Sequence, residues 1–323
     1  MSYLESLGRF SPRINITYRC QLFSFCEYCY AKNELRNYPN DMRIEDFSKI
    51  ITWFKDLFSI KIVTFLGGES TVHPQLASFF EILRERNINS FLFTNGCFDE
   101  SKRKIILDSP SVTTMIFHYE PSFLREKSLR NKFFDNLEKL SKSKEIVFRF
   151  NTSNPSFEFK ELIELSDRYN ASIAYSFTSP SLNNPGNYYV RIEEMKRFVP
   201  QLIKFIETAY SQGIKVFSKR PLPLCIFSED ELSLMKEKSG LRSICCIGSI
   251  TVNPDLSLIP APTLTTIKTD PIKSKEDLAD RVKELSEKVE RLKWAKLSIE
   301  KCSECKFFKN RECQGACTAY KLR

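Results

Sequence analysis

Six short apolar runs alternate with amphipathic segments along the first 178 residues, and this alternation restricts the fold more than any other feature. The runs are Ile14–Tyr18, Ile62–Leu66, Ser90–Thr94, Thr113–Tyr119, Ile146–Asn151 and Ser172–Thr178. Between them lie helix-like stretches at Ile44–Phe58, Gln75–Asn87, Glu100–Leu107, Leu129–Ser141 and Phe157–Tyr169. A strand that returns through a helix each time pairs with the next one in parallel, so the pattern predicts an α/β chain. Runs such as "IVTFL" and "SFLFT" are apolar throughout, as strands covered by helices must be.

Parallel sheets of this kind bind ligands beyond the C-terminal ends of their strands. Polar and glycine residues collect at those ends. Cys20 follows the first run and "GGES" (Gly67 to Ser70) the second. "TNG" (Thr94 to Gly96) ends the third, "HYE" (His118 to Glu120) the fourth and "RFNTSN" (Arg149 to Asn154) the fifth. Turn chemistry alone favours Gly, Asn and Ser, but five consecutive strand ends are a stronger pattern than turns require.

After Thr178 the pattern changes. "SPSLNNPGNYY" reads as a loop, followed by a helix over Ile192–Gln212, a strand "IKVFSK" and the turn-rich "RPLPLCIF". "CCIGSITVNPDLSLIPAP" alternates around Pro254-Asp255 as a β-hairpin does. A charged helix then spans Ser274–Leu297. Its stripe of Leu278, Val282, Leu285, Val289 and Leu292 is spaced for packing onto the domain; a partner coiled coil is the alternative.

Eleven cysteines among 323 residues are the compositional outlier, against only two histidines, His73 and His118. Apolar content of 42% marks a globular chain, and no apolar run approaches 20 residues, so no membrane span is expected. No charged-then-apolar signal sequence is visible. The expected compartment is therefore the reducing cytoplasm, where clustered thiols serve as metal ligands more often than as disulfides. A net charge of +9 fits a solvated Lys/Arg surface or an acidic partner; no pattern typical of nucleic-acid binding accompanies it, and no nucleic-acid partner is expected.

"CQLFSFCEYC" places Cys20, Cys26 and Cys29 in ten residues, as C-x5-C-x2-C after the first strand. Three thiolates can hold a [4Fe–4S] cubane at three corners and leave one iron open. A zinc knuckle is the plainer reading, but it lacks a local fourth ligand. With Tyr28 before the last cysteine, Gly67-Gly68-Glu69 after the second strand and Asn95 after the third, the chain resembles the radical SAM enzymes over nearly its whole length. Their usual loop has three residues in the first gap where this one has five.

The resemblance implies a partial (β/α)6 TIM-like barrel over residues 1–212 and a smaller Cys-rich domain of SPASM or twitch type over 213–323. It implies S-adenosylmethionine (SAM) bound to the open iron and reductively cleaved to a 5′-deoxyadenosyl radical. Gly67, Gly68 and Glu69 would meet the SAM amino group. Tyr28 would lie beside the bound group, and Asn95, His118, Glu120, Arg149 and Asn151 would line the rest. His118 stands where a small hydroxyl residue is usual. Cys97 reads as a plain buried thiol.

"EKCSECKFFKNRECQGACTAY" adds Cys302, Cys305, Cys313 and Cys317 in sixteen residues, a specific metal-binding signal. Zinc is one reading. The resemblance favours a single auxiliary [4Fe–4S] cluster with Cys246 as a further candidate ligand and Cys225 as a weaker one. It also implies a peptide or protein substrate and an electron donor of flavodoxin or ferredoxin type. Only 19 residues precede Cys20, so a separate small recognition protein is expected to present a precursor peptide. A small metabolite or RNA substrate, or a non-catalytic metal-binding module, are the competing functions. No residue is singled out as a catalytic acid, base or radical quencher.

Overall fold

The computed structural model describes residues 11–184, 186–244, 250–295 and 297–323. Seven strands run parallel: β1 (Arg13–Thr17), β2 (Ile62–Gly67), β3 (Asn89–Thr94), β4 (Val112–Tyr119), β5 (Glu145–Thr152), β6 (Ser172–Phe177) and β7 (Val216–Ser218). The crossovers carry α1 (Ala31–Asn37), α2 (Ile44–Phe58), α3 (Leu76–Glu85), α4 (Glu100–Leu107), α5 (Lys127–Leu140), α6 (Lys160–Arg168) and α7 (Val199–Ser211). After β7 come α8 (Glu229–Lys238), a minimal hairpin of β8 (Thr251–Val252) and β9 (Leu258–Ile259), and α9 (Lys275–Ala295). The sheet order is β7-β6-β5-β4-β3-β2-β1-β8-β9. This is the expected α/β architecture of a partial parallel barrel, with a seventh parallel strand beside the sixth.

Strand alternation divides the sheet into two faces. Met115, Phe117, Phe148, Phe150, Ile173 and Tyr175 point outward into the main core beneath the helices. Aromatic rings fill much of that layer: Phe47 meets Phe79 edge-on at 4.7 Å, and Phe117 meets Phe133 at 5.4 Å. Ile116, Val147 and Ala174 point the other way and form a separate apolar floor with Phe91, Phe93 and Phe217.

Some boundaries differ from the sequence reading. The helix expected from Ile192 begins as a tighter 3₁₀ segment, Ile192–Phe198, and becomes α-helical at Val199, where Pro200 occupies the first turn. The hairpin strands hold two residues each, because the turn spends Asn253–Ser257 and puts Leu256 at φ 66°. The α9 stripe does pack inward: Leu278, Val282, Leu285 and Val289 are buried, with Leu292 half-buried. Among the described residues no helix is long and apolar enough to cross a membrane.

β8 pairs in parallel with β1, so the hairpin extends the sheet begun by the first strand. A buried polar knot fastens it. Tyr18 Oη donates to Asn253 Oδ1 at 2.8 Å, and Asn15 Nδ2 donates to the same oxygen at 3.2 Å. Asn253 Nδ2 donates onward to Tyr38 Oη at 2.9 Å and Ser257 Oγ at 3.0 Å. The Tyr18 and Tyr38 rings stack at 5.2 Å. Removing the shared amide strands several buried partners, each costly when unpaired. Asn253→Ala is therefore expected to lower unfolding free energy by about 2–3 kcal/mol, measurable by denaturant titration; a loss under about 0.5 kcal/mol would contradict this role.

Candidate active site

The site grows from one close backbone approach. At the end of β2, Gly67 adopts φ 124°. A Cβ there would sit 2.1 Å from the Thr17 carbonyl oxygen, and one on Gly68 would sit 2.3 Å from that of Arg19. Only glycine permits this. The contact allows Gly68 N–H to donate to Thr17 O at 3.0 Å and Glu69 N–H to Arg19 O at 2.8 Å. The entrance of the cysteine loop is thereby seated on the end of the neighbouring strand.

Glu69 carries the seat across to β3. Its buried carboxylate accepts from Thr71 N at 3.2 Å, Thr71 Oγ1 at 2.7 Å, Thr94 Oγ1 at 3.0 Å and Asn95 N at 2.7 Å. Burial raises its pKa, while those donors pull the other way. Asn95 then reaches the loop: its Nδ2 lies 3.8 Å from Cys20 Sγ, and its Oδ1 accepts from Cys97 N at 2.8 Å. Cys97 is a buried thiol beside this turn, as the sequence reading expects.

Cys20, Cys26 and Cys29 lie on the loop between β1 and α1, each within Coulombic reach of the other two. Leu22 N–H donates to Cys20 Sγ at 3.3 Å. Burial pushes the Cys20 thiol up to about 12, with Glu69 adding to it, and burial raises Cys26 and Cys29 as well. Such thiols are held as thiolates only beside a compensating positive charge, which a metal centre supplies. Among the described residues no three His, Cys, Asp or Glu side chains converge on one single-ion site. A cubane gripped at three corners needs its thiolates at separate irons, so the donor set fits that group.

Opposite the loop, strand alternation continues the apolar floor into polar side chains. His118 follows Ile116, Arg149 and Asn151 follow Val147, and Ser176 follows Ala174. Tyr28 Oη donates to Glu120 Oε2 and lies 2.8 Å from His118 Nε2. Glu120 Oε1 also accepts from Ser122 N at 3.1 Å. Burial lowers the His118 pKa. Arg149 is buried, donating to Ala174 O at 3.0 Å and Ser176 Oγ at 2.6 Å; Ser176 Oγ donates to Asn151 Oδ1 at 2.8 Å.

Burial, and then the nearby Arg220 guanidinium, bring Arg149 down to about 9. Arg220 Nη1 is itself buried with no hydrogen-bond partner. Two neighbouring guanidiniums at a strand-end rim can together receive an anion. The expected residues Tyr28, His118, Glu120, Arg149 and Asn151 are thus brought together, as are Gly67, Gly68, Glu69 and Asn95 with Cys20. Arg220 is absent from the sequence reading. Its signal was available: it follows the strand "IKVFSK" as the other rim residues follow theirs.

In the C-terminal region Cys302 and Cys313 are buried and Cys305 half-buried. Cys317 is buried, with its sulfur 3.9 Å from Thr263 Oγ1. Cys246 lies outside the described residues.

A parallel α/β sheet carries three thiols on the loop that follows its first strand, a donor set suited to an iron–sulfur group. Residues 14–119 of the chain match the model of the Radical SAM superfamily. In fold it is similar to SuiB from Streptococcus suis bound to precursor peptide SuiA: TM-score 0.70 at 16% identity, covering 98% of this chain and 74% of SuiB. It is also similar to anSMEcpe with bound AdoMet, with TM-score 0.66 at 18% identity, covering 96% of this chain and 86% of that one. No curated protein sequence matches the chain.

The glycine seat is open to test. Gly68→Ala is expected to cut iron uptake on anaerobic reconstitution to less than about half and to lower thermal stability, because its Cβ would strike backbone. Gly213 is the control: it has φ 73° with nothing within 4 Å of an added Cβ. Gly213→Ala should cost about 1 kcal/mol and leave iron uptake unchanged. Equal iron in both variants would show that the seat does not hold the loop.

Proposed function

We propose that this enzyme cleaves S-adenosylmethionine reductively and abstracts a hydrogen atom from a peptide or protein substrate. The observation that carries the reading is the three-thiol loop seated on the glycine turn of β2 within the radical SAM domain. When bound, a reduced [4Fe–4S] cluster supplies the electron that breaks the sulfur–C5′ bond of SAM. Cys20, Cys26 and Cys29 would hold that cluster.

The remaining residues bind and orient. The Gly67-Gly68 backbone offers close approach to the SAM amino group. Glu69 acts through Asn95 and Thr94, keeping two strand ends in register beside Cys20. Arg149 supplies a guanidinium for a carboxylate, fixed by Ala174 O and Ser176 Oγ before any ligand arrives. Tyr28, locked by His118 and Glu120, presents its ring next to the cluster ligands. Phe91, Phe93, Ile116, Val147, Ala174 and Phe217 form an apolar floor beneath the site, where a reactive carbon radical would need water kept away.

A peptide substrate is supported by the fold shared with SuiB, whose structure holds precursor peptide SuiA, and with anSMEcpe, solved with bound AdoMet and a peptide. An auxiliary [4Fe–4S] cluster in the C-terminal region and an electron donor of flavodoxin or ferredoxin type complete the proposal.

Two measurements test it. Anaerobic protein with SAM and dithionite should release 5′-deoxyadenosine, and the triple variant Cys20→Ala, Cys26→Ala, Cys29→Ala should release none above buffer; equal release would end the reading. Incubation with a candidate peptide, with and without a separate small recognition protein, should change the peptide's mass or incorporate solvent deuterium. Turnover of a free metabolite alone would instead assign a small-molecule substrate.

Arg149 gives a quantitative check. Losing a charge-assisted pair to the SAM carboxylate removes roughly 1.5–3 kcal/mol. Arg149→Ala should therefore weaken SAM binding about 10- to 100-fold by equilibrium dialysis. Unchanged binding would move Arg149 away from SAM.

A further inference from the structure

We propose that Cys225, Cys302, Cys305 and Cys313 are the four ligands of the auxiliary [4Fe–4S] cluster, and that Cys317 stands outside the set. The inference rests on the auxiliary-cluster reading above and specifies it. Cysteine spacing alone groups Cys317 with the other C-terminal thiols. The fold instead brings in a residue from the turn that follows β7.

Cys225 sits in a single 3₁₀ turn, Leu224–Ile226, and its thiol is exposed. It lies within Coulombic reach of Cys313, Cys305 and Cys302. Cys313 lies within reach of Cys302 and Cys305. Backbone geometry holds the group together. Gly315 N–H donates to Cys313 Sγ at 3.3 Å, and the backbone of Leu224, the residue before Cys225, also bonds that sulfur. Segments some ninety residues apart in sequence therefore meet at one thiol.

Gly315 explains how the sulfurs fit. It takes φ 72°, and a Cβ there would lie 3.2 Å from Cys302 Sγ and 2.9 Å from Ser298 Oγ. Without a side chain, Cys302 and Cys313 share the space beside its backbone. Cys305 N–H donates to Cys302 O at 3.3 Å, closing the C-x2-C turn that keeps the two cysteines adjacent. The buried Lys321 side chain lies in Coulombic range of Cys302 and Cys313; burial lowers its pKa to about 8, and thiolates beside it would favour its charged form. Backbone N–H groups on sulfur and a nearby cation both stabilise and tune a thiolate-held cluster.

Cys317 makes contacts of its own. Its sulfur meets Thr263 Oγ1, and its charge would act on Tyr320, whose hydroxyl donates to Val190 O at 2.5 Å. A cubane has four corners, and the four gathered thiols fill them.

Iron and sulfide analysis of the anaerobically reconstituted full chain tests the assignment without any assay of activity. Wild type should hold about eight irons and eight sulfides, two cubanes. Cys225→Ala should hold about four, and Cys317→Ala should keep about eight. The irons left in Cys225→Ala report on the loop of Cys20, Cys26 and Cys29, and so also show that the variant is folded. Cys225→Ser, an oxygen donor at the same position, should give a reduced second cluster with altered electron paramagnetic resonance. About eight irons in Cys225→Ala, or about four in Cys317→Ala, overturns the ligand set. About four irons with one zinc in wild type overturns the iron–sulfur assignment at this site while leaving the first cluster's reading intact.

Discussion

The structure depends on two backbones that almost touch. Gly67 and Gly68 let the end of β2 press against the Thr17–Arg19 carbonyls, a distance no side chain would allow. That contact aligns two N–H groups with two carbonyl oxygens and fixes where the cysteine loop leaves the sheet. Glu69 spends its carboxylate on the same task, accepting hydrogen bonds from the second and third strand ends. The effect passes through Asn95 to Cys20. A loop of short, exposed turns is mobile by nature; this one is anchored at its root by groups buried in a rigid sheet.

The inner face follows a second constraint. Parallel strands with helices outside must fill both faces, and from β3 to β7 the inner one carries an apolar patch just below the strand ends. There it becomes polar at every second residue, with Arg149 and Arg220 as close neighbours. Arg149 is buried and Arg220 half-buried, and neighbouring cations repel each other where water is scarce. The acidic side chain at this rim, Glu120, is engaged by Tyr28 and Ser122. A carboxylate from a cofactor or substrate would complete the electrostatics, and charge interactions in such a dry place are stronger than in water. The C-terminal segment helps enclose it: Tyr320 reaches the Thr178 and Val190 carbonyls, and the hairpin is tied to β1 through Asn253.

Much of this was legible in the residues. The six apolar runs fall on six strands, because period-two side chains and intervening amphipathic helices leave a parallel sheet as the consistent solution. The glycine pair, Glu69, Asn95, His118 and Arg149 were legible as rim residues, because a strand's last residues must point at the rim wherever the strand goes. Arg220 follows the same rule but stands after a short strand, three residues long, at the start of turn-rich sequence. The hairpin's attachment to β1 was not legible at all. Two-residue strands have no periodicity to read, and their register is set by Asn253 finding Tyr18 and Tyr38 across more than two hundred residues.

Local sequence therefore determined what depends on neighbours in the chain: the helix stripes, the strand runs, the three-cysteine loop and the glycine turn. Tertiary structure alone decided what depends on distant partners. It turned the Glu69 carboxylate inward, set Arg220 against Arg149, and brought Cys225 beside Cys302, Cys305 and Cys313 while directing Cys317 to Thr263. The physical reason is range. Backbone preference and side-chain period act over a few residues, whereas hydrogen bonds, charges and metal ligands act wherever folding brings them within a few ångströms.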